Sequence, residues 1–270
     1  MTNQLNEIDI FKPLIPKLLK IAHQNQSKSN FSVTTKSDSS TVTSTDKEFD
    51  HLITQVIAHN LPNDIIISEE VDTNHHDTTN SGRVWIIDPI CGTENFAKGI
   101  PLYCTNIALY QNNQPEFSIV IDYLKQTYYW TSFDHPHIFN RSQVIKLPKL
   151  PNKTIDIDNG YVPLTGSDLE LQSLGKIISH LINAKWTTNE LGTSLAFTYT
   201  ALNLFSAFIC PKAHMWDFAA ANAFIKKSGG VTTNFKGEPW NLQHSSIIAS
   251  NDPNTHQQLL EIVQQYLTED

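Results

Sequence analysis

The stretch from Val84 to Phe96 reads VWIIDPICGTENF, and it limits the folds open to this chain more than any other segment. Four consecutive apolar residues, Val84 to Ile87, have the continuity of a strand buried on both faces. The run ends at a carboxylate, Asp88, and Pro89 then removes a backbone donor, so regular pairing stops there. Gly92-Thr93 follows as a turn. A carboxylate at the end of a buried strand, ahead of a proline-glycine turn, is a setting for a hard cation, which needs several oxygen ligands. A second acid in the turn would supply one. The residue there is Cys91.

The surrounding pattern predicts a layered mixture of helices and strands. Residues 8–24 read as a helix that starts late or kinks, because Pro13 and Pro16 lie within it. Thr45 and Glu48 suggest a capping box, followed by an apolar face of Phe49, Leu52, Ile53, Val56 and Ile57. DIIIS (64–68) reads as a buried strand ending at Glu69-Glu70, and the polar run 71–82, with His75 and His76, as a mobile surface loop. NIALY (106–110), FSIVID (117–122) and TYYW (127–130) form a meander. KLPKLPNK (146–153) is proline-rich and aperiodic, which predicts subdomains of residues 1–148 and 149–270. Beyond it come helices at 171–182, 193–205 and 216–230, strands at 206–210 and 246–250, and a last helix from Pro253 to Leu267. The fold class is α/β (α+β).

Composition excludes several partners. The 270-residue chain carries a net charge of -8 without a Lys/Arg run, which argues against nucleic acid and anionic membrane. No window approaches the roughly 18 apolar residues of a membrane span. The first residues carry acids where a secretory leader would be basic, and three cysteines without a CxxC fit a reduced, cytoplasmic protein.

Four acids share a local setting: Asp46 and Asp217 at helix starts, Glu69 and Asp88 at strand ends. Such positions can converge on one crevice of an α/β fold. Magnesium there needs only two or three carboxylates and a backbone carbonyl, with waters filling the octahedron. Taken in order, TVTSTD (41–46), SEE (68–70), WIIDPICGTENFAKGIP, GTS (192–194), WDFAA and SGG (to Gly230) resemble the inositol monophosphatase family of metal-dependent phosphatases.

The resemblance implies an αβαβα sandwich, a Mg²⁺-dependent phosphomonoesterase acting on a small phosphorylated metabolite through metal-activated water, and a homodimer. It assigns Glu69, Asp88, the Ile90 carbonyl and Asp217 to the metals. Thr93 and Asp46 become the pair that orients the attacking water. Cys91, Gly92, Thr93, Gly192, Thr193, Ser194 and Asp217 face substrate, with the backbone N–H groups of the two glycine turns as a phosphate cradle. Cys91 departs from the family pattern, which has a second aspartate there. Cys210 stands near an acid that holds a sugar hydroxyl in inositol-specific members. Lys227-Ser228 replaces Glu-Ala, and Asn189 replaces a basic residue.

Three readings of Cys91 stay open. Mg²⁺ works with fewer protein oxygens; a softer ion, Mn²⁺ or Zn²⁺, is recruited with Cys210, His214 and Asp217 as further ligands; or the protein binds a phosphorylated ligand without turnover. A cysteine nucleophile is excluded, because the arginine it needs six residues later is Ala97.

Overall fold

The computed structural model describes residues 6–28, 30–37, 39–70, 82–135, 137–149 and 153–267. The expected polar loop 71–82 lies outside them, except for Gly82. Two mixed sheets organise the chain. The larger has seven strands in the order Ile65–Ser68, Arg83–Cys91, Cys104–Gln111, Gln114–Asp122, Thr127–Ser132, Ile138–Asn140, Gln143–Val144. Its first pair is parallel and the rest antiparallel. The smaller has five, in the order Thr187–Asn189, Thr154–Ile157, Ala207–Cys210, Ile247–Ser250, Val231–Thr233. Here the first two pairs are parallel.

Alternating side chains send each sheet's residues to two faces, and helices cover all four. In Arg83–Cys91, Trp85 and Ile87 meet Phe11, Leu18, Phe49, Ile53 and Ile57 of the helices Glu7–Phe11, Ile15–Lys28 and Ser44–Asn60. Val84 and Ile86 face the opposite way, onto Leu195–Ala201 and Met215–Ser228. Those two helices also cover Phe208, Cys210, Ile247 and Ala249 of the smaller sheet. Its outer face, Ile155, Ile157, Ile209 and Ile248, packs on Asp168–Asn183 and Pro253–Gln264. The layers therefore run αβαβα.

Several boundaries differ from expectation. The helix expected over 8–24 is two helices, parted at residues 12–14. Pro13 lies in the break, whereas Pro16 sits in the first turn of the second helix, where its missing N–H costs little. Thr43, not Thr45, caps Ser44–Asn60. Its side chain accepts from the N–H groups of Thr45 and Asp46, and the Asp46 carboxylate accepts from Thr43 N at 3.0 Å. Thr45 is already inside the first turn and fully buried. The helix expected over 193–205 is limited to Leu195–Ala201, and the last one ends at Gln264. No helix among the described residues is long and apolar enough to cross a membrane.

The central helix Met215–Ser228 is buried without interruption from Phe218 to Ile225. Four of those residues are alanines, which lets two sheets approach one helix closely. Tyr110 and Ser118 of the larger sheet donate to the Ala219 and Ala220 carbonyls, each at 2.9 Å. Asn222 donates to the Tyr110 hydroxyl (3.0 Å) and accepts from Thr232 of the smaller sheet (2.8 Å). The larger sheet ends at Val144 and the smaller begins at Thr154, and on that ground we propose the subdomain division at 148/149. The two halves share the middle layer, so neither should be stable alone. A fragment of residues 1–148 would bare Val84, Ile86, Ala108, Tyr110 and Val120 to water. It is expected to aggregate or to lack a near-UV circular dichroism signal, and a cooperatively unfolding, monomeric fragment would contradict the shared core.

Candidate functional site

Parallel pairing brings strand ends of like direction to one edge. Ser68 pairs with Ile87, so Glu69 emerges beside Asp88, its N–H bonded to the Ile87 carbonyl at 3.1 Å. Pro89 interrupts the ladder to Cys104–Gln111, and the register shifts between Asp88 and Cys91. In the smaller sheet, the ends of Thr154–Ile157 and Ala207–Cys210 point into the same crevice, as do the starts of Leu195–Ala201 and Met215–Ser228. The result is a cavity of about 320 Å³. All of the expected site residues except Asp46 line it. Asp46 stands directly behind, in contact with Thr93.

Ligand atoms of Asp88, Cys91 and Asp217 lie within 4.8 Å of one another. Asp88 is fully buried: Oδ2 accepts from Asn106 Nδ2 at 3.4 Å, and Oδ1 has no partner. Burial first, then the neighbouring Cys91, Glu69 and Asp217, push its carboxyl well above the usual range. Asp217, third residue of its helix, accepts from His214 N at 2.8 Å. Burial, then the charge of Glu69, push it up as well. An orphaned carboxylate oxygen among mutually repelling acids is what a cation would satisfy, so this donor set fits a divalent ion.

Thr93 Oγ1 lies 2.9 Å from both Asp46 Oδ1 and the Ile90 carbonyl. A hydroxyl has one proton, so it serves one acceptor at a time. A cation on the Ile90 carbonyl would commit that proton to Asp46 and leave the Thr93 lone pairs for a water. Burial raises Asp46 to about 6, against the opposing bonds from Thr43 and Thr93.

Cys91 is 7% exposed and directly opposite Cys104 on the neighbouring strand. Its contact with the Cys104 thiol, then burial, push its own thiol up, so sulfur is neutral at pH 7. It accepts from Ser194 N at 3.2 Å and lies 4.0 Å from Asp217 Oδ1. One N–H expected in the phosphate cradle is therefore directed at sulfur, whose long reach lets it span the gap. Ser194 Oγ and Thr193 Oγ1 are also engaged internally, by Asn106 Nδ2 (2.7 Å) and the Cys91 carbonyl (2.9 Å). The soft-ligand set narrows too. Cys210 and His214 do not join the Asp88–Cys91–Asp217 cluster, and His214 is exposed and stacked on Trp216 at 4.5 Å.

Three positioning residues have no role assigned from the sequence, although Asn95 lies within the GTENF stretch itself. Asn95 Nδ2 donates to the Leu102 and Leu191 carbonyls, both at 2.8 Å, pinning the two glycine turns together. Asn106 joins Asp88 to Ser194. Lys36, from the hairpin Val33–Thr35 and Thr41–Thr43, bonds Glu69 (2.8 Å) and Glu70 (2.7 Å). Burial alone would lower Lys36, but the two glutamates outweigh it and hold the ammonium charged.

A sequence model of the inositol monophosphatase family matches residues 7–268. The chain belongs to this family. Among similar proteins, histidinol-phosphatase of Mycobacterium tuberculosis is 26% identical over 215 residues, covering 76% of this chain and 78% of its own. Inositol monophosphatase 1 of Sus scrofa is 28% identical over 218 residues, covering 78% and 77%. A solved IMPase/NADP phosphatase complexed with Mg²⁺ and phosphate superposes with a TM-score of 0.76, at 22% identity and 94% coverage of each chain. The layered fold expected of an inositol monophosphatase family member is thus the fold observed.

Two outcomes test this geometry. Gly92 has φ +96°, and a Cβ there would meet the Leu102 carbonyl and Thr193 Cβ at 3.0 Å. Gly92→Ala should destabilise the protein by about 1–3 kcal/mol in urea titration; an unchanged midpoint would mean that the turn relaxes freely. For Asp46, the folded pKa exceeds the unfolded one, so the folded state holds the extra proton between about pH 4 and 6. The metal-free protein should lose stability as pH rises through that window, by up to about 1.4 kcal/mol per unit. Asp46→Asn should remove that part of the slope, and urea titrations at pH 4, 5 and 6 read the difference.

Proposed function

We propose that the protein is a Mg²⁺-dependent phosphatase that hydrolyses a small phosphomonoester. The observation that carries this reading is the convergence of Asp88, Cys91 and Asp217 beside the Thr93–Asp46 pair, in a cavity that also takes in Glu69. Members of the family are metal-dependent phosphatases. Bound Mg²⁺ supplies charge neutralisation for the phosphate and lowers the pKa of water.

Glu69, Asp88, the Ile90 carbonyl and Asp217 would hold the metal. Thr93, donating to Asp46, presents oxygen lone pairs to a water and orients it toward phosphorus. Asp46, which accepts from the Thr93 hydroxyl at 2.9 Å, is placed to take up the proton relayed through it. The water oxygen forms a new bond to phosphorus as the ester P–O bond breaks; the leaving oxygen takes a proton from solvent water, and Asp46 later releases its own to solvent. Cys91 and the Gly92-Thr93 and Gly192–Ser194 turns form the wall that faces the phosphate, with Asp217 opposite.

Inositol phosphates, sugar phosphates and histidinol phosphate all belong to the proposed class. Three buried free thiols support a reducing, cytoplasmic setting, and a homodimer is proposed from the family resemblance alone. Release of inorganic phosphate from a substrate panel, with Mg²⁺, Mn²⁺ or Zn²⁺, tests the reaction. Turnover that falls about 100-fold or more in Asp88→Asn is expected. A folded protein that binds phosphorylated ligands and turns none over would instead be an impaired family member.

Cys91 sets the metal preference. A neutral thiol offers Mg²⁺ almost nothing, because magnesium favours charged or carbonyl oxygen. Cys91→Asp places a carboxylate where Ser194 N already donates and should tighten Mg²⁺ by about tenfold or more in calorimetry. If Zn²⁺ is the native ion, the same substitution should weaken Zn²⁺ instead. Unchanged affinity for both would leave Cys91 as a pocket wall only.

A further inference from the structure

A phosphate in this cavity meets a shortage of donors. No lysine, arginine or histidine among the described residues lines it. The glycine turns supply less than their backbone suggests, because Ser194 N is directed at Cys91 Sγ and the Thr193 hydroxyl at the Cys91 carbonyl. The Thr93 hydroxyl is committed to Asp46 or to the Ile90 carbonyl. A phosphomonoester brings about two negative charges and three acceptor oxygens, so it calls for further donors beside a metal.

Tyr161 brings another O–H to the wall, in the same cavity as Asp88, Cys91 and Asp217. Its place is set by Gly160, at φ +56°. That residue packs so closely that a Cβ would lie 2.1 Å from the Lys212 carbonyl and 2.9 Å from Cys210 Sγ. Tyr161 N donates to the same Lys212 carbonyl at 2.7 Å, and the Tyr161 carbonyl accepts from Leu164 N (3.1 Å) and Thr165 N (2.8 Å). The ring is fixed as well. It stands edge-on to His214 with centroids 4.7 Å apart, and His214 lies flat on Trp216, the residue before Asp217.

The hydroxyl faces the acids without serving them. Burial first, then its neighbours Asp217, Glu69, Asp88 and Cys91, raise the phenol well above its usual range. Yet the hydrogen bonds of those acids come from elsewhere: Asp88 from Asn106, Asp217 from His214 N, Glu69 from Lys36. A tyrosine is protonated at neutral pH even without such a shift, so Tyr161 is a donor and neither a base nor a nucleophile. Its proton is available to a ligand that enters between the phenol and the acids.

We propose that the Tyr161 hydroxyl donates a hydrogen bond to a terminal oxygen of the substrate's phosphate group and of the phosphate product. The proposal rests on the phosphatase reading above. The proton stays on the phenol throughout, so the bond holds and orients the phosphoryl group and transfers nothing. A half-buried donor, fixed by its backbone bonds and by His214, needs little reorganisation when a charged acceptor arrives. Tyr161 thereby takes over part of the role that the glycine turns would fill if Ser194 N were not spent on Cys91.

The test is Tyr161→Phe, which removes the hydroxyl and keeps the ring on His214. Inorganic phosphate, titrated by calorimetry into the Mg²⁺-loaded protein, should bind about tenfold or more weakly in the variant, as expected for a hydrogen bond to a charged group. Mg²⁺ affinity without phosphate and the urea midpoint should stay unchanged. In phosphate release from a phosphomonoester, KM should rise by a similar factor with kcat little changed, the pattern of a lost binding contact. Unchanged phosphate affinity would overturn the proposal whatever KM does, since a rise in KM alone would put the hydroxyl against the alcohol part of the substrate. An equal fall in Mg²⁺ affinity would also overturn it, making Tyr161 a support of the metal site. Phosphate binding that weakens in the variant, with no ester hydrolysed by the unmodified protein, would sink the phosphatase and keep the donor. Hydrolysis with unchanged phosphate affinity would do the reverse, and a protein that neither binds phosphate nor hydrolyses an ester would overturn both.

Discussion

Asp88 is the constraint around which the site is arranged. A carboxylate with no exposed surface and one oxygen without a partner is costly in a folded protein unless something cationic joins it. Its neighbours worsen the repulsion: Glu69 and Asp217 contribute charge, and Cys91 adds a thiol that cannot donate charge compensation. Asn106 satisfies one oxygen only at 3.4 Å. Lys36 is committed to Glu69 and Glu70, so it relieves the rim rather than the base of the crevice. A divalent ion would resolve the conflict in one step, and the same ion would provide what phosphate chemistry requires.

The rest of the fold keeps these groups converged. The central helix Met215–Ser228 carries Asp217 and lies between the sheets, so its position is set by both. The Tyr110–Asn222–Thr232 chain of hydrogen bonds runs from one sheet through that helix to the other. Asn95 ties the Gly92 turn to the Gly192 turn across the mouth of the crevice. Gly92 allows that approach because its Cβ would occupy the space filled by Thr193. Asp46 does double duty: one oxygen completes a helix cap with Thr43 and the other receives the Thr93 hydroxyl. Cap and proposed catalytic pair are thus one unit, which couples the start of the Ser44–Asn60 helix to the site.

Much of this was legible in the sequence because strand ends and helix starts announce themselves. The apolar run into Asp88 and the run IIIS into Glu69 marked carboxylates on one edge. The pattern WDFAAANAFIKKSGG marked a helix, and its burial between two sheets became visible only in the assembled fold. The capping register was misread by two residues, because Thr43 and Thr45 both precede a suitable acid and only the fold decides which enters the helix. Lys36 was missed because its hairpin is short and exposed, with no periodicity to place it beside Glu69. The strands Thr154–Ile157 and Thr187–Asn189 were missed because neither is an apolar run, TIDI being interrupted by Asp156 and TTN being polar throughout.

The account turns on whether a cation sits where Asp88, Cys91 and Asp217 meet. Anomalous diffraction from crystals soaked in Mn²⁺ locates such an ion directly. The account predicts an anomalous peak bonded to Asp88 and Asp217, within reach of Glu69 and the Ile90 carbonyl. A peak that avoids Asp88, or a crevice still without one at saturating Mn²⁺, would contradict it.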